Sequence, residues 1–255
     1  MCIILFSYNH HPKYRFIVAA NRDEVYNRPT EPASFWKDQP GILAGRDLEQ
    51  LGTWMGITRT GRLAALTNIR KIPSHRKDMR SRGELVSGFL SSEISPSAYL
   101  SHVKERRDQY LGFNLLVADK EALFYYNSDA DQVEEVSPGI HGLSNAELDT
   151  PWPKVERGKQ FMEACTDTLD LDQERLFELL SDDVMAEDHH LPDTGAGIEW
   201  ERILSPVFIS SPNYGTRSST VLTVSYENQV EFIERTYCPI QQNWSEVKFD
   251  FSLSP

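Results

Sequence analysis

Residues 14–24 read Tyr-Arg-Phe-Ile-Val-Ala-Ala-Asn-Arg-Asp-Glu, an apolar run that passes directly into four polar residues. An earlier apolar run, Cys-Ile-Ile-Leu-Phe-Ser-Tyr, occupies residues 2–8, and His10-His11-Pro12 between the two runs is typical of a turn. Together they predict an antiparallel β-hairpin. The hairpin places Asn21-Arg22-Asp23-Glu24, which close the second strand, beside Cys2 at the start of the first. Four polar residues in that place indicate either a site or ion pairs at a strand end.

The rest of the chain alternates between short apolar runs and amphipathic segments. Ser81 and Glu84 have the spacing of a capping box, and Ser95-Pro96 is typical of a helix start. Residues 182–200 are acidic, contain Gly and Pro, and predict a mobile loop. Further strands are predicted at 41–44, 53–58, 62–69, 113–118, 122–126, 141–144, 216–226, 230–237 and 247–253, and helices at 81–90, 95–109, 153–169 and 173–181. This order predicts a single α+β domain over residues 1–255, with two stacked, mostly antiparallel sheets and helices outside them.

Composition excludes several classes of protein. The chain has 255 residues, a formal net charge of −12 and a pI near 5.1, which argues against a nucleic-acid or anionic-lipid partner for the whole surface. No window approaches the ~20 apolar residues of a membrane span, and the N-terminus lacks the basic region of a signal peptide. Three cysteines are too few for a disulfide scaffold and lack metal-ligand spacing. We expect a cytoplasmic, reduced protein with no metal site; the oligomeric state stays open.

One stretch departs from the acidic average. Between residues 59 and 82 the only acidic residue is Asp78, against eight basic residues: Arg59, Arg62, Arg70, Lys71, Arg76, Lys77, Arg80 and Arg82. The stretch fits a binding site for an anion, with His75, Arg76, Lys77 and Arg80 as candidates, or a basic loop exposed to solvent.

Cys2 carries the most informative chemistry. Removal of Met1 would leave a thiol and a free α-amine on one residue, and an α-amine with a pKa of about 8 can accept the thiol proton. A positive neighbour such as Arg22 would lower the thiol pKa further. Asp23 or Asn21 could hold the amine. Regular strand geometry sends Arg22 and Asp23 to opposite faces, so that both serve one pocket only if a bulge intervenes.

Three more polar clusters lie at the ends of predicted strands. Asn68 and Asn145 each follow an apolar strand, and an asparagine side chain beside backbone N–H groups is what an oxyanion hole requires. Arg217 lies among hydroxyl residues ahead of a strand and is suited to hold a carboxylate. Each cluster alone also fits ordinary turn chemistry.

The motifs together resemble the NRDE family, which includes the Transport and Golgi Organization 2 proteins. The resemblance covers nearly the whole chain. It rests on Met-Cys-Ile-Ile, Ala-Ala-Asn-Arg-Asp-Glu, Arg28-Pro29, Gly52-Thr-Trp-Met-Gly56, Leu-Ala-Ala-Leu-Thr-Asn68, Arg82-Gly-Glu84-Leu-Val, Gly112-Phe-Asn-Leu, Gly-Leu-Ser-Asn145, Thr150-Pro-Trp and Tyr214-Gly-Thr-Arg217.

The resemblance implies a four-layer αββα sandwich similar to that of the Ntn hydrolases, and more distantly a similarity to the bile-salt and penicillin V amide hydrolases. By motif position Cys2 would be the nucleophile and Asp23 the residue that binds its amine. Asn68 and Asn145 would be the oxyanion pair, and Arg217 the final arginine. Arg22 departs from that pattern, because those enzymes separate the arginine and the aspartate by two residues.

The resemblance implies two classes of function. One is an intracellular trafficking or carrier protein that binds an amphipathic anion, haem or an acyl-CoA, in the pocket around Cys2, with Asn21, Glu24 and the basic stretch contributing. The other is an N-terminal cysteine amidohydrolase acting on a linear amide of an acylated metabolite. For haem, the candidate iron ligands are Cys2, His10, His11, His75, His141, His189 and His190.

Overall fold

The structure is a computed structural model that describes residues 2–71, 79–238 and 243–254. Within these ranges, residues 2–27, 70–71 and 137–251 form one compact unit, and residues 28–69, 79–136 and 252–254 form another. Each unit contains one antiparallel sheet flanked by helices. The predicted α+β class with two antiparallel sheets is therefore confirmed.

The first unit is built on a six-stranded sheet. Its strands are β1 (Cys2–Tyr8), β2 (Tyr14–Val25), β10 (Gly139–Leu143), β11 (Tyr214–Ser225), β12 (Gln229–Cys238) and β13 (Asn243–Ser252). Their order across the sheet is β10-β1-β2-β11-β12-β13, so the predicted hairpin of β1 and β2 lies near the middle. One face of this sheet packs against α3 (Pro153–Thr166) and α4 (Gln173–Leu180). The core formed there includes Ile3, Leu5, Ile17 and Ala19.

The second unit is a seven-stranded meander. Its strands follow one another in chain order: β3 (Thr30–Phe35), β4 (Ile42–Asp47), β5 (Met55–Thr58), β6 (Leu63–Asn68), β7 (Phe113–Ala118), β8 (Leu123–Asn127) and β9 (Gln132–Glu135). Two helices, α1 (Gly83–Leu90) and α2 (Pro96–Lys104), pack on it around Phe89, Leu100 and Phe113. The strands β3 and β9 are polar and lack the apolar run by which the other strands are predicted.

Local signals at the helix starts succeed in one case and fail in another. Ser95 caps α2 as predicted, since its side chain accepts a hydrogen bond from the backbone N–H of Ala98 at 3.4 Å. The predicted capping box of Ser81 and Glu84 is wrong, because the N-cap of α1 is Arg82 and makes no side-chain cap bond. The Glu84 carboxylate instead forms an ion pair with Arg80.

The segment 182–200 is more regular than predicted. It contains a 3-10 turn at Asp188–His190, and α5 (Ile198–Ile203) begins within it. Glu201 of α5 is 3% exposed and accepts hydrogen bonds from Thr194. A buried carboxylate holds this segment in place, and local composition does not reveal it.

Candidate functional site

The polar residues 21–24 lie at the end of β2, as predicted, and the strand continues through them to Val25. Its register places Cys2 of β1 opposite Arg22, and Arg22 opposite Ser218 of β11. Residues directly opposite each other in a sheet project from the same face. Cys2, Arg22 and Ser218 therefore form one row across three neighbouring strands, which we call the Cys2 row.

The Cys2 row is polar, with Cys2 half-buried and the other two residues buried. Arg22 is 6% exposed and Ser218 is 4% exposed. Among the described residues, the Ser218 hydroxyl has no hydrogen-bond partner. A buried polar group without a partner is costly, so the Ser218 hydroxyl would gain from a ligand that offers it a hydrogen bond.

The Cys2 thiol has opposing influences on its ionisation. Burial is the largest and raises the thiol pKa, and the negative charge of Asp23 acts in the same direction. The backbone N–H of Asp23, which hydrogen bonds to the thiol, and the positive charges of the N-terminus and Arg22 lower the pKa. The net result is a raised pKa of the Cys2 thiol. Arg22 lowers this pKa, as expected, but in the chain that includes Met1 the effect of burial is larger.

Asp23 occupies the opposite face of β2 from Arg22, as strand alternation requires. Its side chain is 2% exposed, and its Oδ1 accepts a hydrogen bond from the Thr216 hydroxyl at 2.8 Å. Burial raises the pKa of Asp23, and the positive charges of the N-terminus, Lys154 and Arg70 lower it. Asp23 thus reaches Cys2 through its backbone, while its carboxylate belongs to a second group of charges.

Lys154 is the most unusual member of that group. It is the second residue of α3, is 3% exposed, and donates a hydrogen bond to the Leu204 carbonyl at 3.0 Å. Burial lowers its pKa to about 8, and the neighbouring charge of Arg70 acts in the same direction. The negative charge of Asp23 partly opposes both effects.

Arg70 links Asn145 to α5. Its Nη1 donates to the buried carboxylate of Glu201 at 2.6 Å, and its Nη2 lies 3.5 Å from the Asn145 Oδ1. The Arg70 backbone N–H also donates to the Asn145 carbonyl at 2.8 Å. Asn145 is 1% exposed and follows β10, as the sequence predicts. Its side-chain oxygen is thus oriented toward Arg70 and the Ser144 hydroxyl.

Asn21 and Glu24 do not lie in the Cys2 row. The Asn21 amide donates to the carbonyls of Leu180 and Val207 at 2.8 and 3.0 Å and accepts from the Ser219 hydroxyl at 2.6 Å. These bonds hold β2 to the end of α4, to the segment after α5 and to β11. Glu24 is half-buried, and its carboxylate accepts from the Val25 backbone N–H at 2.9 Å.

A bulge lies near the site, but in β11 rather than in β2. The register moves from Asp23–Thr216 to Arg22–Ser218, which leaves Arg217 as an extra residue. Arg217 therefore lies within a strand and not ahead of one. Its Nη1 donates to the Val25 carbonyl at 3.0 Å, and burial lowers its pKa.

The remaining predicted site residues fall into two groups. Some lie in the second unit, and the others lie outside the described residues. Asn68 is half-buried at the end of β6. Arg80 is exposed and pairs with Glu84 at 2.6 Å and with Gln109 at 2.9 Å. His75, Arg76 and Lys77 lie outside the described residues.

Two of the candidate haem ligands are already engaged. His11 uses both ring nitrogens, toward the Thr168 carbonyl and the Lys13 backbone N–H, each at 3.0 Å. His141 uses both as well, toward Asp149 at 2.7 Å and the Ser137 carbonyl at 3.0 Å. His10, His189 and His190 are exposed. Within the described ranges, therefore, no histidine combines burial with a ring nitrogen open to iron.

Four residues of the site were not predicted from the sequence: Arg70, Lys154, Glu201 and Ser218. Arg70 is part of the basic stretch, and Ser218 is one of the hydroxyl residues near Arg217, but neither is distinguished from its neighbours. Lys154 follows Trp152-Pro153, an ordinary helix start. No signal in the sequence marks Lys154 or Glu201 as buried.

The whole chain has clear relatives. A family model described as Transport and Golgi organisation 2 matches residues 1–239. The mouse Transport and Golgi organization 2 homolog is 37% identical over 99% of both chains. The chain belongs to this family. Its human member is also 37% identical over 99% of both chains, and the Drosophila melanogaster protein is 27% identical over 92% of both. The resemblance predicted from the motifs is thus confirmed.

Two solved structures are similar in outline. One is a Caenorhabditis elegans N-acylethanolamine-hydrolyzing acid amidase ortholog, with a TM-score of 0.48, 10% identity, and coverage of 87% of this chain and 92% of that chain. The other is a C2A mutant of the conjugated bile acid hydrolase of Clostridium perfringens, with a TM-score of 0.49, 10% identity, and coverage of 100% and 98%.

The helices of the described ranges were also compared with the requirements of a bilayer. None of them has both the length and the apolar character needed to span a membrane.

Proposed function

We propose that this chain is a cytoplasmic carrier that binds an amphipathic anion of the acyl-CoA class, with the charged part of the ligand at the Cys2 row. The observation that carries the proposal is the orphaned Ser218 hydroxyl beside the buried Arg22 guanidinium. A guanidinium and a hydroxyl donor together suit a phosphate or carboxylate oxygen. Such a ligand would give Ser218 the partner that it lacks.

The charge within the row supports an anionic ligand. Arg22 is the buried charged residue of the row, and the Asp23 carboxylate projects from the other face of β2. A buried cation in a low-dielectric site is stabilised by an incoming anion.

The face that carries the Cys2 row continues as an apolar surface. The next rows on that face are Ile4, Ala20 and Thr220, and then Phe6, Val18 and Leu222. All six residues are buried. A charged row followed by two mostly apolar rows matches a ligand with an anionic head and a hydrocarbon remainder.

Of the two ligands suggested by the family resemblance, an acyl thioester is the one proposed here. An acyl-CoA needs cations and an apolar surface, which the row and its neighbours supply. A haem also needs an axial ligand, for which Cys2 is the candidate within the row. His11 and His141 use both of their ring nitrogens elsewhere. Haem is therefore the comparison ligand in the test.

The test is a calorimetric titration of a long-chain acyl-CoA and of haem into wild type and two variants. Arg22→Met removes the guanidinium of the row, and Arg15→Met removes one at the other end of β2 as a matched control. We expect acyl-CoA to bind wild type below about 10 μM, equivalent to about 6.8 kcal/mol. Loss of a charge-assisted hydrogen bond in Arg22→Met should weaken binding by about tenfold or more.

Two results of that titration would overturn the carrier proposal. One is an absence of acyl-CoA binding to wild type in this concentration range. The other is equal affinity of wild type and a folded Arg22→Met variant. Preferential binding of haem would replace the acyl thioester by haem as the ligand class.

A second function, N-terminal cysteine amidohydrolase, is favoured by a different observation: the N-terminal charge, the Asp23 backbone N–H and the Arg22 charge each act to lower the pKa of the Cys2 thiol. In the proposed reaction, removal of Met1 frees the α-amine, which takes the thiol proton. The thiolate then attacks the amide carbonyl and expels the amine, which leaves with that proton, and water hydrolyses the acyl-cysteine to a carboxylic acid. Asn145, in the same unit as Cys2, is the proposed oxyanion donor.

Intact mass separates this function from the carrier. An amidohydrolase requires a mature chain that begins at Cys2, because a retained Met1 blocks the α-amine. Hydrolysis of an N-acyl amide by the processed chain, and its loss in Cys2→Ala, would support the enzyme. A chain that retains Met1 and shows no hydrolysis would exclude it.

A further inference from the structure

The segment 187–190 carries a cluster that neither proposed function uses. Within the described residues, ligand atoms of Glu187, His189 and His190 lie within 4.8 Å of one another. The two imidazole rings have centroids 3.9 Å apart, and His189 Nδ1 lies 3.4 Å from a Glu187 carboxylate oxygen. Two adjacent histidines with a carboxylate so close form a group of donors rather than scattered surface residues.

The backbone of this segment is already folded into a turn that gathers the three side chains. The His190 N–H donates to the Glu187 carbonyl at 2.9 Å, and the Leu191 N–H donates to the Asp188 carbonyl at 3.2 Å. In a 3-10 turn, side chains three residues apart eclipse one another, which places Glu187 and His190 on the same side. The His189 ring then folds against the ring of His190.

Neighbouring charges leave the cluster available for a cation. The adjacent carboxylate of Asp188 forms a two-point ion pair with Arg202 at 2.8 and 2.7 Å, so it both anchors the turn and neutralises the nearest arginine. Glu187, His189 and His190 are all exposed. Their side chains can therefore bind an ion without desolvation of a buried charge.

We infer that Glu187, His189 and His190 form a surface site for a divalent transition metal ion, with zinc as the reference ion. Two imidazole nitrogens and one carboxylate oxygen are a donor set that Zn²⁺ accepts in tetrahedral geometry, with water as the fourth ligand. The nitrogen donors favour zinc, copper and nickel over magnesium and calcium, which prefer oxygen alone. The site is independent of the Cys2 row.

The test uses the untagged full chain, because an affinity tag of histidines would bind the same metals. Zn²⁺ affinity is measured by competition with a chromophoric chelator for wild type, Glu187→Ala, His189→Ala and His190→Ala. His102→Ala, which removes an exposed histidine on α2, is the matched control. Co²⁺ substitution reports the geometry through the intensity of its visible absorption.

We expect each variant of the cluster to weaken Zn²⁺ binding by at least about tenfold, a loss seen even for outer partners of metal ligands. The His102→Ala variant should bind as wild type does, and Mg²⁺ should not compete. Equal Zn²⁺ affinity in wild type and in His189→Ala, or an equal loss in the His102 control, would overturn the inference. Circular dichroism confirms that each exposed substitution leaves the fold unchanged.

Discussion

Two neighbouring residues of one strand, Arg22 and Asp23, have different surroundings because a strand sends successive side chains to opposite faces. Arg22 lies in the Cys2 row with a buried hydroxyl beside it. Asp23 lies among Thr216, Lys154 and Arg70 on the other face and contacts the thiol through its backbone. Arg22 and Asp23 are adjacent here, whereas the amide hydrolases that the motifs resemble separate the two residues. Both can still act on Cys2, Arg22 through its charge and Asp23 through its backbone.

Asn21, the residue before them, has a structural role. In Asn21→Ala, two buried carbonyls and the Ser219 hydroxyl lose their partners. We expect the free energy of unfolding to fall by about 3 kcal/mol, measured by urea denaturation. Ser219→Ala, which removes one of these bonds, should cost about 1 kcal/mol. A loss in Asn21→Ala no larger than in Ser219→Ala would show that Asn21 does not hold β2 to its neighbours.

Lys154 predicts a pH dependence of stability. Its folded pKa of about 8 lies below the ordinary 10.5. Between these values the unfolded chain holds a proton that the folded chain does not, so stability rises with pH. Relative to Lys154→Met, wild type should gain about 3 kcal/mol between pH 7 and 10.5. Urea denaturation of both proteins across this range measures the difference, and a constant difference would mean that Lys154 is not buried as a cation.

At the scale of elements, Gly215 allows β11 to pass close to the segment before it. A Cβ at Gly215 would lie 2.4 Å from the Ile209 carbonyl oxygen, which accepts a hydrogen bond from the Thr216 N–H. Gly215→Ala should therefore push β11 away and cost about 1–3 kcal/mol in unfolding free energy.

Gly41→Ala is the matched control for that substitution, since a Cβ there meets nothing within 4 Å. Thermal unfolding of both variants should show a lower Tm for Gly215→Ala alone. If the two variants unfold at the same temperature, the close approach at Gly215 does not constrain β11.

The elements that the sequence predicts well are those with a strong local pattern. Continuous apolar runs identify β1 and the first half of β2, and Ser95-Pro96 identifies the start of α2. The surroundings of the second half of β2 are not predictable, because its buried polar residues are partnered by distant ones. Asn21, for example, bonds to residues 159 and 186 positions away. No local pattern contains that information.

The candidate site follows the same division. The position of Arg22 beside Cys2 is predictable, because the hairpin register fixes that position once both strands are recognised. Lys154, Arg70 and Glu201 converge only through helix packing and a segment far along the chain. Their burial depends on mutual charge compensation, which appears only when the fold brings them together.

At the scale of the whole molecule, the average charge and the local charge have opposite signs. The chain carries a net charge of −12, yet the buried charged residue of the Cys2 row is the cation Arg22. Long-range repulsion between an acidic surface and an anion is screened by salt, whereas the buried attraction is screened much less. Under the proposed function, a ligand of the acyl-CoA class is therefore recognised by this site and not by the surface as a whole.

Protection of Cys2 from alkylation tests this central claim most directly. The chain is treated with iodoacetamide with and without a saturating long-chain acyl-CoA, and the labelling of each cysteine is followed by peptide mass spectrometry. Cys238 and Cys165 serve as internal controls. Ligand at the Cys2 row should slow labelling of Cys2 several-fold and leave both controls unchanged. Binding of acyl-CoA with an unchanged rate at Cys2 would place the ligand elsewhere and contradict the proposed function.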